Sequence, residues 1–194
     1  MYNESVNRCA WCLCHPLAVE YHDKEWGTPV YDEQKHFEFI TLEVMQAGLN
    51  WLMILKKRKN LQEAFDNFDY NIIAGYNEEK IEKLLSDPGI IRSRKKIEAV
   101  INNARMYIKL QKEFGSFSNY IWSFVDNKPI LDRRHSMGYI PVTTELSDRL
   151  SKDLKKRGFK FLGSTTVYAH LQAAGLVNDH LADCFRYKEL TGNL

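Results

Sequence analysis

The sequence predicts an all-α fold, a compact helical bundle, on three observations. Apolar residues recur at three- and four-residue spacing through most of the 194 residues. Caps and Gly or Pro stops punctuate those stretches, and no alternating run is long enough to build a sheet. The length suits one domain, and with no Gly/Ser linker or solenoid period the expectation is a single helical domain over 1–194.

Each element has a local reason. Asp32 caps a helix whose apolar face carries Phe37, Ile40, Val44 and Ala47 and which ends at Gly48. Asn50 starts a short second helix that finishes in Lys56-Lys57-Arg58-Lys59. Asn77 followed by Glu78 and Glu79 is a cap with acids facing the helix dipole; that helix runs through Ile81, Leu84 and Leu85 into Asp87-Pro88-Gly89. Ser93 opens the longest helix, with Ile97, Val100, Ile101, Ala104 and Ile108 on one face, closing near Gly115. Ser116 leads into Tyr120, Ile121, Phe124 and Val125. Leu146, Leu150 and Leu154 define a helix that Gly158 terminates. Ser164 or Thr165 caps another, which ends at Gly175. Lys160 to Leu162 is too short to form a sheet.

Composition excludes several classes. Hydrophobic residues at 44% and charged residues at 27% are ordinary globular values. Lys and Arg total 27 against 25 Asp and Glu, so bulk charge announces no polyanion partner. Four Cys in this length do not make a disulfide scaffold. Met1 to Val6 is polar with no apolar segment after it, and no stretch approaches a membrane span. The expectation is a cytoplasmic protein with reduced thiols and no membrane partner.

Reduced Cys grouped with His raise the question of a metal. The first 22 residues hold Cys9, Cys12, Cys14, His15 and His22; the last 15 hold His180 and Cys184. On a helix, His180 and Cys184 would leave the same face one turn apart. Two ligands from each end would give a Cys₂His₂ zinc site joining the terminal segments near 9–22 and 180–184. Spacing leaves alternatives open. Cys9-x-x-Cys12 could chelate by itself, Cys14 or His15 could substitute, the thiols could be buried apolar groups, or Cys9 and Cys12 could form a redox pair.

Residues 78–108 read as a helix-hairpin-helix. Gly89 has no Cβ, so backbone can approach a ligand, and the second helix points its unpaired N–H groups and positive dipole end at the turn. Arg92, Arg94, Lys95 and Lys96 add charge there, which suits nucleic-acid phosphates. Two further basic runs, Lys56 to Lys59 and Lys152 with Lys155-Lys156-Arg157 and Lys160, show that the balanced net charge hides local concentration. The bland alternative is a helical corner with a solvated basic face.

Glu43 stands between Leu42 and Val44 near an apolar helix end. A carboxylate there is on the solvent face or committed to a partner. With Trp51 nearby, and Trp11, Tyr21 and Trp26 in the N-terminal segment, one acid among aromatics can form a pocket for a planar, hydrogen-bonding, cationic guest.

Taken together these segments resemble the bacterial DNA-3-methyladenine glycosylase I family of the helix-hairpin-helix glycosylase superfamily. The matching stretches run nearly the whole chain in order. They are Arg8-Cys9-Ala10-Trp11, Tyr21-His22-Asp23-Lys24-Glu25-Trp26-Gly27, Gln46-Ala47-Gly48-Leu49-Asn50-Trp51 and Ile54-Leu55-Lys56-Lys57-Arg58. Gly89-Ile90-Ile91-Arg92, the run from Lys155 to Phe161 and Gly175-Leu176-Val177-Asn178-Asp179-His180 complete the set.

The resemblance implies one structural Zn2+ on Cys9, His22, His180 and Cys184. It implies that Glu43 is the catalytic acid that reads a flipped base, and that Trp11, Tyr21 and Trp51 shape or stack upon that base. Leu49, after Gly48, is implied as the wedge into the duplex; Gly48, Leu49, Pro88, Gly89, Arg92 and Lys95 are the implied DNA contacts. Val44 stands where a smaller residue is usual beside the acid, and Cys12, Cys14 and His15 are left without a role. Asp126 and Asp132 are not catalytic on this reading. The implied activity is monofunctional hydrolysis of the N-glycosidic bond of 3-methyladenine in double-stranded DNA, by a monomer, leaving an abasic site without strand cleavage. The competing classes are a non-catalytic zinc-stabilised DNA-binding module and a thiol redox protein.

Overall fold

Ten α-helices and one two-stranded pairing make up the described residues, 6–131 and 140–192, of the computed structural model. Asp132 lies outside them. A 3-10 turn, Ala10–Cys14, precedes α1 (Pro16–Lys24), α2 (Glu33–Gln46) and α3 (Trp51–Ala64). Then come α4 (Tyr70–Ile73), α5 (Glu78–Ser86), α6 (Arg94–Phe114) and α7 (Phe117–Trp122). After β1 (Ile130–Leu131) follow α8 (Glu145–Lys156), α9 (Ser164–Ala173), β2 (Val177–Asn178) and α10 (Phe185–Thr191). β1 and β2 pair in parallel, with Ile130 opposite Val177 and Leu131 opposite Asn178. No helix of the described residues is long and apolar enough to cross a membrane.

The expected caps form where the chemistry is local. Asp32 accepts from Lys35 N–H at 2.7 Å, Asn50 from Leu52 N–H at 2.8 Å, Asn77 from Lys80 N–H at 3.0 Å and Ser116 from Asn119 N–H at 2.9 Å. Three boundaries differ from expectation. α3 continues past the basic run to Ala64, because Leu61 is fully buried and holds the extra turns to the core. The N-cap of α9 is Gly163, because Ser164 Oγ is engaged by Ser147 Oγ of α8 at 2.8 Å. His180 and Cys184 are not on a helix: β2 and a turn precede Cys184, which is itself the N-cap of α10.

The core runs through all the long helices. α2 is its axis, with Phe37, Phe39, Ile40, Leu42, Val44 and Met45 each at most 2% exposed. The axis is pinned at its start: Tyr107 of α6 donates its hydroxyl to Glu33 O at 2.8 Å, while the Glu33 carboxylate accepts from the N–H groups of Phe117 and Ser118. A carboxylate on the first N–H groups of α7 satisfies donors that the helix leaves unpaired. Along its length α2 packs against α3, α6, α7 and α9.

Candidate active site and metal centre

A cavity of about 260 Å³ opens at the last turn of α2. It is lined by Trp11, Tyr21, Glu43 and Trp51, the four residues expected to meet a base, together with Trp26, Gln46, Ile140, Ala169 and Gln172. Glu43 is 5% exposed, and among the described residues no hydrogen bond or ion pair reaches its carboxylate. Burial pushes its pKa up to about 8. An unpartnered acid in an apolar wall is costly, and it is tolerated where a ligand completes it.

The aromatics form a wall, not a sandwich. Tyr21 and Trp51 are in contact, ring centroids 5.2 Å apart and tilted by 55°, so no base fits between them. Trp11 meets Trp26 edge-on at 5.1 Å. The open face of this wall is its outer one, with Tyr21 buried behind it. Trp51 Nε1 is a buried donor without a partner among the described residues. On the opposite side, Gln172 donates Nε2 to Asp179 at 2.8 Å, which commits its amide nitrogen away from Glu43's empty acceptor sites. Val44 is fully buried in the core, so the larger residue is packed away from the guest.

Trp26 joins the wall as one of the aromatics expected beside Glu43, whereas Gln46, Ile140, Ala169 and Gln172 are the members that sequence reasoning missed. Gln46 carried a signal, because it opens the Gln46–Trp51 stretch that ends in another site residue. Gln172 had none: it reaches the cavity only because α9 packs on α2.

Beyond Glu43 the chain turns sharply. Gly48 has φ +75°, in the left-handed region glycine favours, and a Cβ there would meet nothing. Leu49 follows at 38% exposure. Lys96 is 8% exposed and donates to Met45 O and Ala47 O, both at 2.8 Å. The expectation that Lys96 charges the hairpin surface is corrected: it ties the first turn of α6 to the end of α2.

Other basic residues are also committed. Arg94 is bound to Glu78, Glu82 and Glu98. Lys57 donates to Pro88 O and Gly89 O at 3.0 Å. Arg58 pairs with Glu25 and Glu38, both at 2.7 Å. Arg157 pairs with Asp153 and Glu113. Of the three basic runs, Arg92 and Lys95 at the hairpin, Lys56 and Lys59 on α3, Lys152, Lys155 and Lys156 on α8 and Lys160 after it are exposed and without ion-pair partners among the described residues.

Gly89 acts differently from expectation. Its N–H is taken by Asp87 Oδ1 at 2.7 Å, and a Cβ would lie 2.8 Å from Asn60 Nδ2 and 2.9 Å from Asp87 Oδ1. A Cβ there would push the ends of the Asn60 and Asp87 side chains aside and disturb the bond that closes the turn. The open donors lie one step further on, where Ser93 makes no side-chain cap on α6, leaving first-turn N–H groups at Arg94 and Lys95 without a capping acceptor.

The second cluster joins the ends of the chain. The ligand atoms of Cys9, His22, His180 and Cys184, all buried, lie within 4.8 Å of one another. Cys184 Sγ is 3.5 Å from His22 Nε2 and 3.6 Å from His180 Nδ1, and Cys9 Sγ is 3.8 Å from His180 Nδ1. Sulfur and nitrogen ligands of one tetrahedral zinc stand about 3.6 Å apart, from bonds of about 2.3 and 2.05 Å. The outward nitrogens are fixed: His22 Nδ1 donates to Asp23 at 2.8 Å, and His180 Nε2 donates to Trp26 O at 2.9 Å. Both rings thus turn a lone pair inward. Arg8 holds Asp23 through Nε and Nη2. Hydrogen bonding from Cys9 and the two imidazoles draws the Cys184 thiol toward thiolate.

Gly27 (φ +79°) passes so close to His180 that a Cβ would stand 2.8 Å from Nε2. The remaining thiols and His15 have other roles: Cys12 Sγ donates to Cys9 O at 3.1 Å, Cys14 is exposed, and His15 caps α1 by accepting from Leu17 N–H.

Residues 11–187 match the methyladenine glycosylase family. A DNA-3-methyladenine glycosylase 1 of Escherichia coli (strain K12) is 47% identical over 182 residues, 94% of this chain and 97% of that protein. A DNA-3-methyladenine glycosylase of Haemophilus influenzae is 48% identical over 179 residues, 92% and 97% of the two chains. A 3-methyladenine DNA glycosylase I variant solved in complex with 3-methyladenine superposes with a TM-score of 0.89 at 41% identity, covering 92% of this chain and 96% of that one. The cavity, the acid and the aromatic wall therefore sit in a known enzyme framework, and the chain belongs to the methyladenine glycosylase family.

Proposed function

We propose that the cavity receives 3-methyladenine rotated out of a DNA duplex, with Glu43 accepting from its exocyclic amine and the aromatic wall against one face. Excision of that base by hydrolysis of the N-glycosidic bond is the activity of the family. The observation that carries the atomic reading is the unpartnered, buried Glu43 carboxylate in the aromatic cavity. A non-catalytic DNA-binding module has no use for such an acid.

Methylation at N3 leaves the adenine cationic in DNA and already a good leaving group. Recognition then matters more than general-acid power. Rotation out of the stack costs a few kcal/mol. Ionised Glu43 favours a cationic base over neutral adenine, and each aromatic face adds roughly 0.5–2 kcal/mol of cation–π attraction. Water attacks the sugar carbon as its bond to the base breaks, leaving an abasic site. No lysine lines the cavity among the described residues, so no covalent lyase intermediate is built in.

Leu49 fills the gap in the duplex, while Arg92, Lys95 and the open first turn of α6 take phosphate. The donor set of Cys9, His22, His180 and Cys184 fits one structural Zn2+ that ties the two ends together. Four protein ligands leave no position for substrate, so the reaction is carried by the cavity. The protein works as a monomer.

The test is release of free 3-methyladenine from methylated duplex DNA, followed by chromatography, with strand integrity checked on a gel. Release with an intact backbone is expected. Intact substrate, or strand cleavage without alkali, contradicts the reading.

A further inference from the structure

Phe161 is held in an unusual posture on the surface. Its backbone has φ +58°, a region bulky residues seldom adopt, and the ring is 41% exposed. The posture is imposed by its neighbours. Fully buried Asn103 of α6 grips Lys160 from both sides, donating to Lys160 O at 2.9 Å and accepting from Lys160 N–H at 2.7 Å. Asn102 donates to Gly158 O at 2.8 Å. Phe159 and Leu162 are buried on either side, so the loop is anchored while its one remaining aromatic is left outside. Over-determined strain of this kind is kept where the displayed group is used.

Phe161 and Lys160 face a groove completed by Lys95, Glu98, Ala99 and Asn102, about 520 Å³ in volume. Lys95, Ala99 and Asn102 are one stripe of α6. At 1.5 Å per residue the stripe is about 10 Å long. It begins at the hairpin turn and runs away from it. Glu98 is engaged with Arg94 at 3.5 Å, whereas Lys95 and Lys160 are exposed without ion-pair partners among the described residues.

We infer that this groove is a second DNA-backbone site, continuous with the hairpin. Lys95 and Lys160 contact phosphates, and the Phe161 ring packs on a deoxyribose of the same strand. A stripe of about 10 Å spans two to three nucleotides at 3.4 Å of axial rise each. Contacts of this type set register and orientation and carry no sequence information. The inference rests on the glycosylase reading for its choice of DNA as partner.

The experiment is fluorescence anisotropy of a labelled duplex carrying a tetrahydrofuran abasic analogue, titrated between 50 and 200 mM salt. Lys95→Ala and Lys160→Ala are each expected to flatten the slope of log K against log salt by about 0.9. Phe161→Ala weakens binding several-fold with the slope unchanged. Lys112→Ala, about 25 Å away on the same helix, keeps parent affinity and slope. Phe161→Gly removes the ring and the backbone strain together, so its thermal midpoint is expected to match or exceed the parent's while duplex affinity falls. A lower midpoint with parent affinity would make Phe161 a packing residue and overturn the inference. Parent behaviour of both Lys160→Ala and Phe161→Ala would also overturn it, with the glycosylase reading intact. Failure of the unaltered protein to bind the duplex at all would instead sink the glycosylase reading.

Discussion

Tyr21 and His22 are neighbours on α1, yet they serve two sites finished in opposite ways. On the His22 side the groups that orient the donors are paired: Asp23 holds His22, Arg8 holds Asp23, and Trp26 O holds His180. On the Tyr21 side, Glu43 and Trp51 Nε1 have no partner among the described residues. A set of four donors with its outer partners complete is built to be closed by one ion. A buried acid with a partner missing is built to receive something that comes and goes. On the proposed reading the cluster serves stability and the cavity chemistry, although the residues that enter them are adjacent in sequence.

Breaking the closed side should have the largest effect. Structural zinc contributes on the order of 10 kcal/mol of apparent folding energy in small sites. Cys184→Ser, or chelation of the parent, is expected to lower the denaturation midpoint steeply together with metal content. Cys12→Ser should change metal content little, since its thiol stands outside the four-donor cluster, donates to Cys9 O, and leaves a hydroxyl of similar reach beside His22 when replaced. A Cys184→Ser protein with one equivalent of zinc and the parent midpoint would break the comparison.

The open side predicts a trade-off at Glu43. A charge-assisted hydrogen bond is worth about 1.5–3 kcal/mol, so Glu43→Gln should slow excision by roughly 10- to 150-fold. Stability should move the other way. Glu43 titrates near 8 in the fold against an ordinary 4.5, so the folded state binds more protons between those values. Stability from the neutral carboxyl is full below pH 4.5 and is lost as pH rises through about 8. Glu43→Gln escapes that loss and should exceed the parent's stability at pH 9 by up to about 5 kcal/mol, an upper bound at 1.36 kcal/mol per pH unit. The gain should vanish near pH 4.5. Denaturant melts at the two pH values check it.

A smaller effect is expected at the outer partner of the closed site. Asp23→Asn keeps all four ligands but weakens the hold on His22, so metal affinity should fall about 10- to 100-fold with the fold intact. Competition with a chromophoric chelator measures this. Unchanged affinity would mean that the paired groups around the cluster are incidental.

Much of this was legible in sequence because it is local. Asp32, Asn50, Asn77 and Ser116 cap helices through atoms two or three residues away. The ligand set and the base-reading acid came from the resemblance, and both fall into buried clusters. What was misread depends on contacts between distant segments. Ser164 turns to Ser147, Lys96 is drawn inward by the carbonyls ending α2, and Gly89 gives its N–H to Asp87. Charge runs look alike in sequence whether they face solvent or neighbouring carboxylates. Arg58 and Arg94 proved to face carboxylates, and only tertiary packing decides that.

The central claim is that Glu43 waits for the base as its partner. The most direct measurement is its carboxyl titration by 13C NMR, without and with saturating 3-methyladenine. The unliganded group should titrate near 8, and a hydrogen bond from the exocyclic amine should then lower its pKa by at least one unit. A titration unmoved by bound 3-methyladenine would contradict the account.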